Sequence, residues 1–551
     1  MPLPIQVFNT LNQNKFPLTP IEPGKVGIYV CGPTVYGHIH IGNARTFTSF
    51  DTVVRYLRHA GYQVRYVRNY TDVDDKIIRG AKVVGTWKQG GAEVLKIGID
   101  NSCSLRGQPA TFYLDGNTLK ATAGGKTEDF EVTAFGLSSG GAELQRDGAP
   151  VDATAFAQHF IDQFERDATS LHLLKPDVSP KVSETIPEIV AIIQKLIARG
   201  FAYESKGDVY FEVRKFPEYT RLSKRNLDDM KEGASGRVDS SEQKKDPLDF
   251  ALWKTAKPGE VSWDSPWGKG RPGWHIECSA MSSKFLGDHF DLHGGGLDLI
   301  FPHHTNEKAQ SEAASGVELC NCWMHGGFLD LEGAKMSKSL GNVVRLVDAL
   351  KQVDPEALRF FFLSTHYRSP LSFSDKSLAD CEARLEYFYE TLQKLSERLA
   401  GKTREAGPVH GDPAALLTEF DSVASDDFNF AGSLGVLSNI FGEINMLTDK
   451  PPVKDKPLIA RTLFALQDVV KKIGLALGLF EEEPSQWLLK LRDRRVKAKG
   501  IDPANVEAKI AERQAARAAK DFARSDAIRA EMKTLGVELM DGPQGTRWKV
   551  C

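Results

Sequence analysis

The pattern of hydrophobic and polar positions changes several times along the 551-residue chain. Between Val26 and Asn69 an apolar run (KVGIYV), a segment with helical spacing (GNARTFTSFDTVVRYLRHAG) and a second strand-like run (YQVRYVRN) follow one another. This order predicts a β-α-β unit, which begins a parallel sheet. Ligands of such sheets bind at the carboxyl ends of the strands. We therefore expect functional residues between Cys31 and Asn43 and between Tyr70 and Asp75.

A different pattern occupies the next part of the chain, where twelve of the 64 residues from Gly85 to Gly148 are glycine. Short alternating runs such as ATFYLDGNTLKAT predict hairpin strands. We interpret residues 83–150 as a β-rich, glycine-rich insertion. Helical periodicity then resumes at 155–164 and 186–197 and predicts crossover helices. Long helical patterns dominate from residue 378, and the chain ends in two alternating runs typical of a hairpin.

Composition narrows the class of protein. The chain is 41% hydrophobic and 26% charged, which excludes disorder, and no apolar run approaches the roughly 20 residues that span a bilayer. The N-terminus lacks a basic region followed by an apolar core, so we expect a cytoplasmic protein. The net charge of −3 neither requires nor excludes a polyanionic partner. Seven cysteines spread over a long chain predict reduced thiols or metal ligands instead of a disulfide framework.

Two segments have the chemistry of anion sites. His40, Gly42 and Asn43 open the first predicted helix, where backbone amides attract an anion and Gly42 lets a phosphate approach closely. The alternative is that Asn43 only caps the helix. Lys335 and Lys338, three residues apart in a loop of small polar residues, are suited to a pyrophosphate. The alternative for this loop is a solvated basic turn.

Four residues have metal-ligand chemistry: Cys31, Cys278, His303 and Glu307. Two thiolates, an imidazole and a carboxylate suit a four-coordinate zinc ion, and the spacing of His303 and Glu307 places both on one helical face. Spacing alone leaves structural cysteines and a core histidine as the alternative.

A second pair of cysteines, Cys320 and Cys322, has the Cys-x-Cys spacing of some metal sites. No partner pair lies nearby in the sequence, so we expect buried strand thiols.

Together these motifs resemble those of class I aminoacyl-tRNA synthetases, which pair an N-terminal HIGH-type motif with a later KMSKS loop. Asn43 departs from the motif, which has His there, but it still supplies a donor. The chain specifically resembles the cysteinyl-tRNA synthetases over nearly all its length except about 83–150. The matching segments are Tyr29–Tyr36, Asn69–Ile77, Gly273–Ser279, His293–Glu307, Lys335–Ser339, His366–Pro370, Lys520–Asp526 and Asp541–Trp548.

The resemblance implies an α/β fold, in which a Rossmann-type parallel-sheet catalytic domain with insertions precedes a helical bundle and a small C-terminal α+β module. The segments expected on this basis are 1–82 (catalytic domain, first half), 83–150 (insertion), 151–245 (connective helices and strands), 246–328 (catalytic domain, second half), 329–377 (KMSKS-loop stem-contact segment), 378–485 (helical anticodon-binding bundle) and 486–551 (tRNA-binding module).

The resemblance also implies an activity. A monomer would activate L-cysteine with Mg²⁺ and ATP to cysteinyl-adenylate and transfer the cysteine to its tRNA. One zinc ion per chain, held by the four ligands named above, would bind the substrate thiol. Because sulfur is a far better zinc ligand than a hydroxyl, serine would be rejected without a second site, and we expect no editing domain.

Residue roles follow from the same resemblance. His40 and Asn43 would contact the α-phosphate, Gly42 would take part in binding ATP, Asp298 would bind the adenosine, and Lys335 and Lys338 would hold the departing pyrophosphate. Thr71 would contact the amino acid, and Trp274 would wall its pocket unless it is simply a core residue. His304 would order His303, or lie on an ordinary helix surface.

The tRNA requires local positive charge. Two basic runs, Lys490–Lys499 and Ala519–Arg524, are candidates for phosphate contacts, and Trp548 is a candidate for stacking on a base. The alternative for the basic runs is a solvated helical face.

Two other functions fit part of the pattern. A ligase that joins cysteine to an amino sugar would share the catalytic core but lack a full anticodon-binding tail, whereas here the tail matches to its end. A non-catalytic zinc-containing RNA-binding protein would have lost His40, Lys335 and Lys338, which are intact.

Overall fold

The structure is a computed structural model of the chain. It describes residues 2–550 except 116, 134–135, 228–242, 258–259, 332–333, 336–342 and 543–544, and it describes 334–335 by their backbone only. No helix of the described chain is long and apolar enough to cross a membrane.

The chain divides into two compact units. The first comprises Met1–Cys381, Ala414–Ser438 and Leu475–Leu479, and the second comprises Glu382–Pro413, Asn439–Gly474 and Phe480–Cys551. Residues 378–485 thus contribute to both units. The first unit contains every described residue of the predicted catalytic segments.

The predicted β-α-β unit is confirmed. An antiparallel pair of strands precedes it, and the two strands of the unit lie parallel, with Val26 opposite Val64. The N-terminal elements are β1 (Gln6–Asn9), β2 (Asn14–Pro17), β3 (Lys25–Val30), α1 (Ile41–His59), β4 (Gln63–Arg68) and α2 (Asp75–Val83).

Helix α1 begins at the sequence signal that suggested an anion site. The His40 side chain caps the helix by accepting a hydrogen bond from the Asn43 amide at 3.2 Å. Gly61, whose φ is +93°, follows the helix and turns the chain into β4. Nearby residues thus determine both ends of the helix: the His40 cap begins it and Gly61 follows its end. The N-terminal end carries the HIGH-type motif.

The insertion consists of two five-stranded antiparallel sheets, with orders β14-β5-β6-β7-β8 and β13-β12-β11-β10-β9. Because β14 pairs with β5, Thr86 lies opposite Asp147, and the chain enters and leaves the insertion side by side. The strands are β5 (Gly85–Gln89), β6 (Ala92–Ile97), β7 (Cys103–Leu105), β8 (Gln108–Pro109), β9 (Thr111–Asp115), β10 (Thr118–Ala123), β11 (Lys126–Val132), β12 (Leu137–Ser139), β13 (Ala142–Glu143) and β14 (Gln145–Asp147).

Two helices and a small antiparallel sheet of order β15-β16-β17-β18 connect the halves of the catalytic domain. The helix predicted over 186–197 is confirmed as α4 (Ile186–Ala198): Pro187 lies in its first turn and Gly200 follows its end, as these residues favour. The elements are α3 (Ala153–Ser170), α4 (Ile186–Ala198), β15 (Ala202–Ser205), β16 (Asp208–Phe211), β17 (Phe250–Thr255) and β18 (Gly270–Pro272).

The central sheet is completed by two later strands and has the order β20-β19-β3-β4, with all neighbours parallel. A three-stranded sheet of order β22-β21-β23 follows it. The elements are α5 (Trp274–Leu286), β19 (Phe290–Gly296), α6 (Thr305–Ser315), β20 (Cys320–Gly326), β21 (Leu329–Leu331), β22 (Ala334–Lys335), α7 (Leu346–Ala349), α8 (Pro355–Leu363) and β23 (Leu371–Phe373).

The remaining chain is helical and ends in a hairpin, as its sequence pattern predicts. In the second unit the rings of Phe388 and Phe441 stack at 4.3 Å, and α14, α15 and the hairpin share a core. The elements are α9 (Asp375–Leu399), α10 (Pro413–Ala424), α11 (Phe430–Asp449), α12 (Lys456–Leu477), α13 (Pro484–Lys499), α14 (Pro503–Ala518), α15 (Phe522–Thr534), β24 (Val537–Gly542) and β25 (Gly545–Val550).

The insertion lies outside the core that surrounds the metal-ligand candidates. Among the described residues, the core cluster that contains Cys31 and Cys278 includes none from 85–148. The insertion is joined to the end of α2 by a hydrogen bond from the Trp87 indole to the Val83 carbonyl at 2.8 Å and by a second from Arg146 to Lys82. A third hydrogen bond joins His38 to the backbone of Asp100.

We therefore expect that replacing residues 86–147 by a single serine leaves a folded protein. Paired residues of antiparallel strands are only about 5 Å apart, so one residue closes the gap. The three lost hydrogen bonds are worth about 1 kcal/mol each, which lowers Tm by about 5 °C or less in a chain of this size. Circular dichroism melting beside the full chain measures the shift. An aggregated product, or one without a cooperative transition, would make the insertion part of the core.

Candidate active site and metal centre

Four side chains from distant parts of the sequence meet at the carboxyl edge of the central sheet. Cys31 follows β3 directly, and Cys278 lies in the second turn of α5. His303 lies in the turn before α6, and Glu307 is in the first turn of that helix. All four are at most 5% exposed. The end of strand β3 and the starts of helices α5 and α6 thus bring the four side chains together. They meet at the edge of the sheet where ligands of parallel sheets bind.

The donor atoms of these four residues all lie within 4.8 Å of one another. The two sulfurs are 3.8 Å apart, and the Cys31 sulfur is 3.3 Å from Oε1 of Glu307. The same oxygen lies 2.6 Å from Nε2 of His303. The i, i+4 contact between His303 and Glu307 is therefore present. The structure brings together the whole donor set that the sequence suggested.

Burial and mutual contact set the charges of this cluster. A hydrogen bond from the Cys31 thiol lowers the pKa of Cys278 to about 7, whereas burial raises that of Cys31 well above its ordinary value. Burial alone would raise the pKa of Glu307, but the imidazoles of His303 and His293 hold it well below its usual range. The cluster thus holds an anionic carboxylate and a thiol that ionises more readily than an ordinary cysteine.

His303 carries the compensating positive charge. Burial opposes the charged form of His303, yet Glu307 raises its pKa to about 10. A cation that replaced this proton would meet this carboxylate and the readily ionised Cys278 thiol. The arrangement is therefore suited to a metal ion in charge as well as in donor type.

His304 has neither of the two roles considered from the sequence. It is fully buried, so it is not a helix-surface residue, and its Nε2 contacts the Cys31 sulfur at 3.3 Å instead of ordering His303. Its Nδ1 pairs with Nε2 of His325 at 2.8 Å, and His325 pairs with the hydroxyl of Thr10 at 2.8 Å. The reason is that the turn before α6 points two successive histidines in different directions. Hydrophobic periodicity does not indicate such a turn.

His293 is a residue that the sequence reasoning missed. Its Nε2 lies 2.8 Å from Oε2 of Glu307, and its ring stacks on Trp323 at 4.4 Å. With Cys31, His304 and Glu307 it forms a second, overlapping group of donor atoms. The available signal was a histidine that lies near the carboxyl end of a buried strand and is followed directly by three glycines.

The two predicted amino-acid contacts lie beside the cluster. Trp274 is half-buried, and its ring is 4.3 Å from that of His303, so it is not a simple core residue. Thr71 is buried against the loop that follows Cys31, where its amide donates to the Pro33 carbonyl at 3.2 Å. An added Cβ at Gly32 would lie 1.7 Å from the Asn69 carbonyl, so only glycine permits this approach.

The predicted nucleotide residues lie along the same edge. His40, Gly42 and Asn43 are half-buried at the start of α1. Asp298 is exposed in the turn after β19, and an added Cβ at Gly296 would lie 2.4 Å from its Oδ1. These placements put the helix N-terminus and an exposed carboxylate at the end of the same sheet.

The two lysines of the KMSKS segment are described unequally. The backbone of Lys335 pairs with Asp330 in the short β21–β22 hairpin. Lys338 lies outside the described residues.

Cys320 and Cys322 are buried strand thiols, as expected. Both lie on β20, and neither belongs to a metal-competent group among the described residues.

The expected stacking residue Trp548 is unsuited to that role. It is 6% exposed, its indole donates to Glu507 at 2.7 Å, and the guanidinium of Arg492 covers its ring. Much of the basic run that contains Arg492 is also neutralised, because Arg494 and Arg495 pair with Glu382. The hairpin alternation explains the burial: Trp548 faces the helices on the same side as Val550.

Phe522 is an exposed aromatic side chain within the second basic run, Ala519–Arg524. It begins α15 and is 64% exposed, between Lys520 and Arg524 in the sequence. The sequence reasoning considered the basic residues of this run and did not consider its aromatic one.

Comparisons with known proteins agree with this geometry. Residues 17–383 match the model of the tRNA synthetases class I (C) catalytic domain, and residues 419–481 match the DALR domain. The solved structure of Mycobacterium tuberculosis methionyl-tRNA synthetase in complex with methionyl-adenylate is similar with a TM-score of 0.54 at 16% identity. This match covers 84% of this chain and 92% of the other. The fold is therefore that of a class I aminoacyl-tRNA synthetase.

Closer relatives define the family. A cysteine–tRNA ligase of Anaeromyxobacter sp. (strain Fw109-5) is 48% identical over 100% of both chains. The cysteine–tRNA ligase of Geobacter sulfurreducens is 42% identical over 99% of each chain. The chain belongs to the cysteine–tRNA ligase family, and the resemblance found in its motifs is confirmed.

We predict that Cys278→Ser abolishes tight zinc binding. Replacing a thiolate by a hydroxyl removes one of the four donors and should weaken zinc affinity by more than about 100-fold. This loss exceeds the one expected when a residue that only orients a ligand is changed. Competition with a chromophoric chelator measures the affinity. Cys320→Ser, an equally buried substitution outside the cluster, is the matched control and should bind zinc like the unmodified protein. Equal affinities for both variants would remove Cys278 from the site.

Proposed function

We propose that the protein activates L-cysteine with ATP and transfers it to the cysteine tRNA, with the substrate thiol selected by a zinc ion. The observation that carries the proposal is the enclosed set of two sulfurs, one imidazole and one carboxylate at the carboxyl edge of the sheet. Membership of the cysteine–tRNA ligase family supports the same reaction.

The donor set fits zinc. Zinc–sulfur bonds of about 2.3 Å at a tetrahedral angle separate two sulfurs by about 3.8 Å, which is the distance between Cys31 and Cys278. We assign His303 and Glu307 as the other ligands, because His293 holds the second oxygen of Glu307 and thus orients the carboxylate. When bound, zinc supplies a soft Lewis acid that prefers a substrate thiolate to the hydroxyl of serine.

The neighbouring residues give the amino acid its position. Trp274 packs on the His303 ring and forms a wall beside the cluster. Thr71 lies on the opposite loop, next to the residues that follow Cys31. We assign both to binding the cysteine substrate.

Adenylate formation needs positioning and charge, and no protein base. A carboxylate oxygen of cysteine attacks the α-phosphorus of ATP, the bond to the pyrophosphate oxygen breaks, and pyrophosphate leaves with Mg²⁺. We assign His40 and Asn43 to the α-phosphate, with Gly42 allowing close approach at the helix N-terminus. Asp298 is assigned to the adenosine. A ribose hydroxyl of the tRNA then attacks the activated carbonyl and releases AMP.

The pyrophosphate is assigned to Lys335 and Lys338. Two ammonium groups three residues apart match the several charges of this leaving group. Phe522 is assigned to the tRNA, because it is a highly exposed aromatic ring flanked in the sequence by basic residues.

Charging of a total tRNA pool with labelled cysteine tests the proposed reaction. We expect ATP-dependent cysteinylation, with kcat/KM for serine lower by about 10⁴-fold or more, because a thiol-selective site does not bind an alcohol. Omission of ATP is the control. Absence of charging by folded, zinc-loaded protein would refute the proposal, and transfer of cysteine to an amino sugar instead of tRNA would favour the ligase alternative.

A single lysine variant tests the role of the KMSKS segment. Lys338→Ala should lower kcat of cysteine-dependent ATP–pyrophosphate exchange by about 100-fold and leave the KM for cysteine within about twofold, because the lost charge acts on the leaving group. Lys376→Ala, on an exposed helix surface paired with Asp380, is the control and should leave both values unchanged. A change in KM alone would show that Lys338 binds substrate without assisting the reaction.

A further inference from the structure

Arg45 lies in the second turn of α1 and is 1% exposed. Its Nη1 donates to the carbonyls of Gly327 and Phe328 at 3.0 and 2.6 Å. Its Nη2 donates to the carbonyls of Ser369 and His366 at 2.5 and 3.4 Å. One guanidinium therefore binds four carbonyls on two separate segments of chain.

These two segments form the base of the small sheet that leads into the KMSKS segment. Gly327 and Phe328 connect β20 to β21, and β21 pairs with β22, which contains the backbone of Lys335. Ser369 precedes β23, which pairs with the other side of β21. By binding both segments, Arg45 fixes the origin of the hairpin that carries Lys335.

The far end of the KMSKS segment is held by the same part of the chain. The Ile41 amide donates to the Val344 carbonyl at 3.0 Å, and the Leu346 amide donates to the Ile39 carbonyl at 2.9 Å. His40 lies between the two residues that make these hydrogen bonds. The described residues on both sides of the segment are thus attached to α1 and the turn that begins it.

The junction is built for close approach. An added Cβ at Gly327 would lie 2.5 Å from the Ser369 carbonyl oxygen, so a larger residue would separate the segments that Arg45 joins. Burial also disfavours the charged form of the guanidinium and lowers the pKa of Arg45 to about 10. None of the four groups that accept its hydrogen bonds is a carboxylate that would offset this cost. Lysine cannot replace it, since a single ammonium group cannot reach two pairs of carbonyls.

We propose that Arg45 is a positioning residue for adenylate formation: it holds the Lys335 hairpin at a fixed distance from His40 and Asn43 on the same helix. The inference rests on the proposed function. It predicts that loss of Arg45 impairs the step in which pyrophosphate departs and spares the step in which the adenylate reacts with tRNA.

The test compares Arg45→Lys with Arg359→Lys. Arg359 is an equally buried arginine that donates to the carbonyls of Leu477 and Leu171 and pairs with Asp51, away from the KMSKS hairpin. Both variants lose a buried hydrogen-bond network, so both should lower Tm. Only Arg45→Lys should reduce kcat of cysteine-dependent ATP–pyrophosphate exchange, by about 100-fold for a misplacement of about 1 Å.

Two further measurements separate positioning from general damage. For Arg45→Lys, the KM for cysteine should stay within about twofold, and single-turnover transfer from isolated enzyme-bound cysteinyl-adenylate to tRNA should stay within about threefold of the unmodified rate. Equal losses in activation and transfer, or equal losses in kcat for both variants, would overturn the inference. If the unmodified protein shows no cysteine-dependent exchange, the proposed function fails instead; if it does and Arg45→Lys matches it, only this inference fails.

Discussion

The buried carboxylate of Glu307 is the constraint on which the active site depends. Its Oε1 contacts His303 and Cys31, and its Oε2 contacts His293. A buried carboxylate without partners would cost several kcal/mol, so the fold is stable only if these partners are in place. These partners lie directly after β3, on β19 and in the turn before α6. The two strands and the turn must therefore come together around this one carboxylate. The geometry of the four donor atoms is a consequence of satisfying that charge.

A second layer of polar side chains fixes the first. Burial and the neighbouring His293 hold the pKa of His304 well below its usual value, so its ring is neutral and bridges Cys31 to His325. Thr10, from the loop after β1, ends this chain. Because Cys31 and Glu307 are oriented by further buried groups, the cluster has little freedom to rearrange. In the proposed function, such a cluster would select a substrate by the chemistry of its donor atom and not by the size of its side chain.

The sequence predicted the features that depend on local pattern or on residue type. The β-α-β unit follows from alternating strand and helix periodicity. The pairing of Cys31 with Glu307, across 276 residues, followed from the family resemblance, because spacing alone left structural cysteines as the alternative. The sequence could not predict the features that depend on tertiary packing. The direction of His304 is set by an irregular turn, and the burial of Trp548 is set by helices that pack on its hairpin. Arg494 and Arg495 look like a basic surface in the sequence, but they pair with Glu382 and Glu386 on another helix.

Helix α1 connects the chemistry of the two signature motifs. His40 caps it, and Arg45 anchors the base of the KMSKS hairpin. Most of the helix is buried, so packed side chains surround it and hold it in place. In the proposed reaction, the groups that bind the α-phosphate and the groups that bind the departing pyrophosphate must keep their relative positions to within about 1 Å. His40 and Asn43 at the start of this helix, together with the Arg45 contacts to the base of the Lys335 hairpin, would provide that fixed geometry.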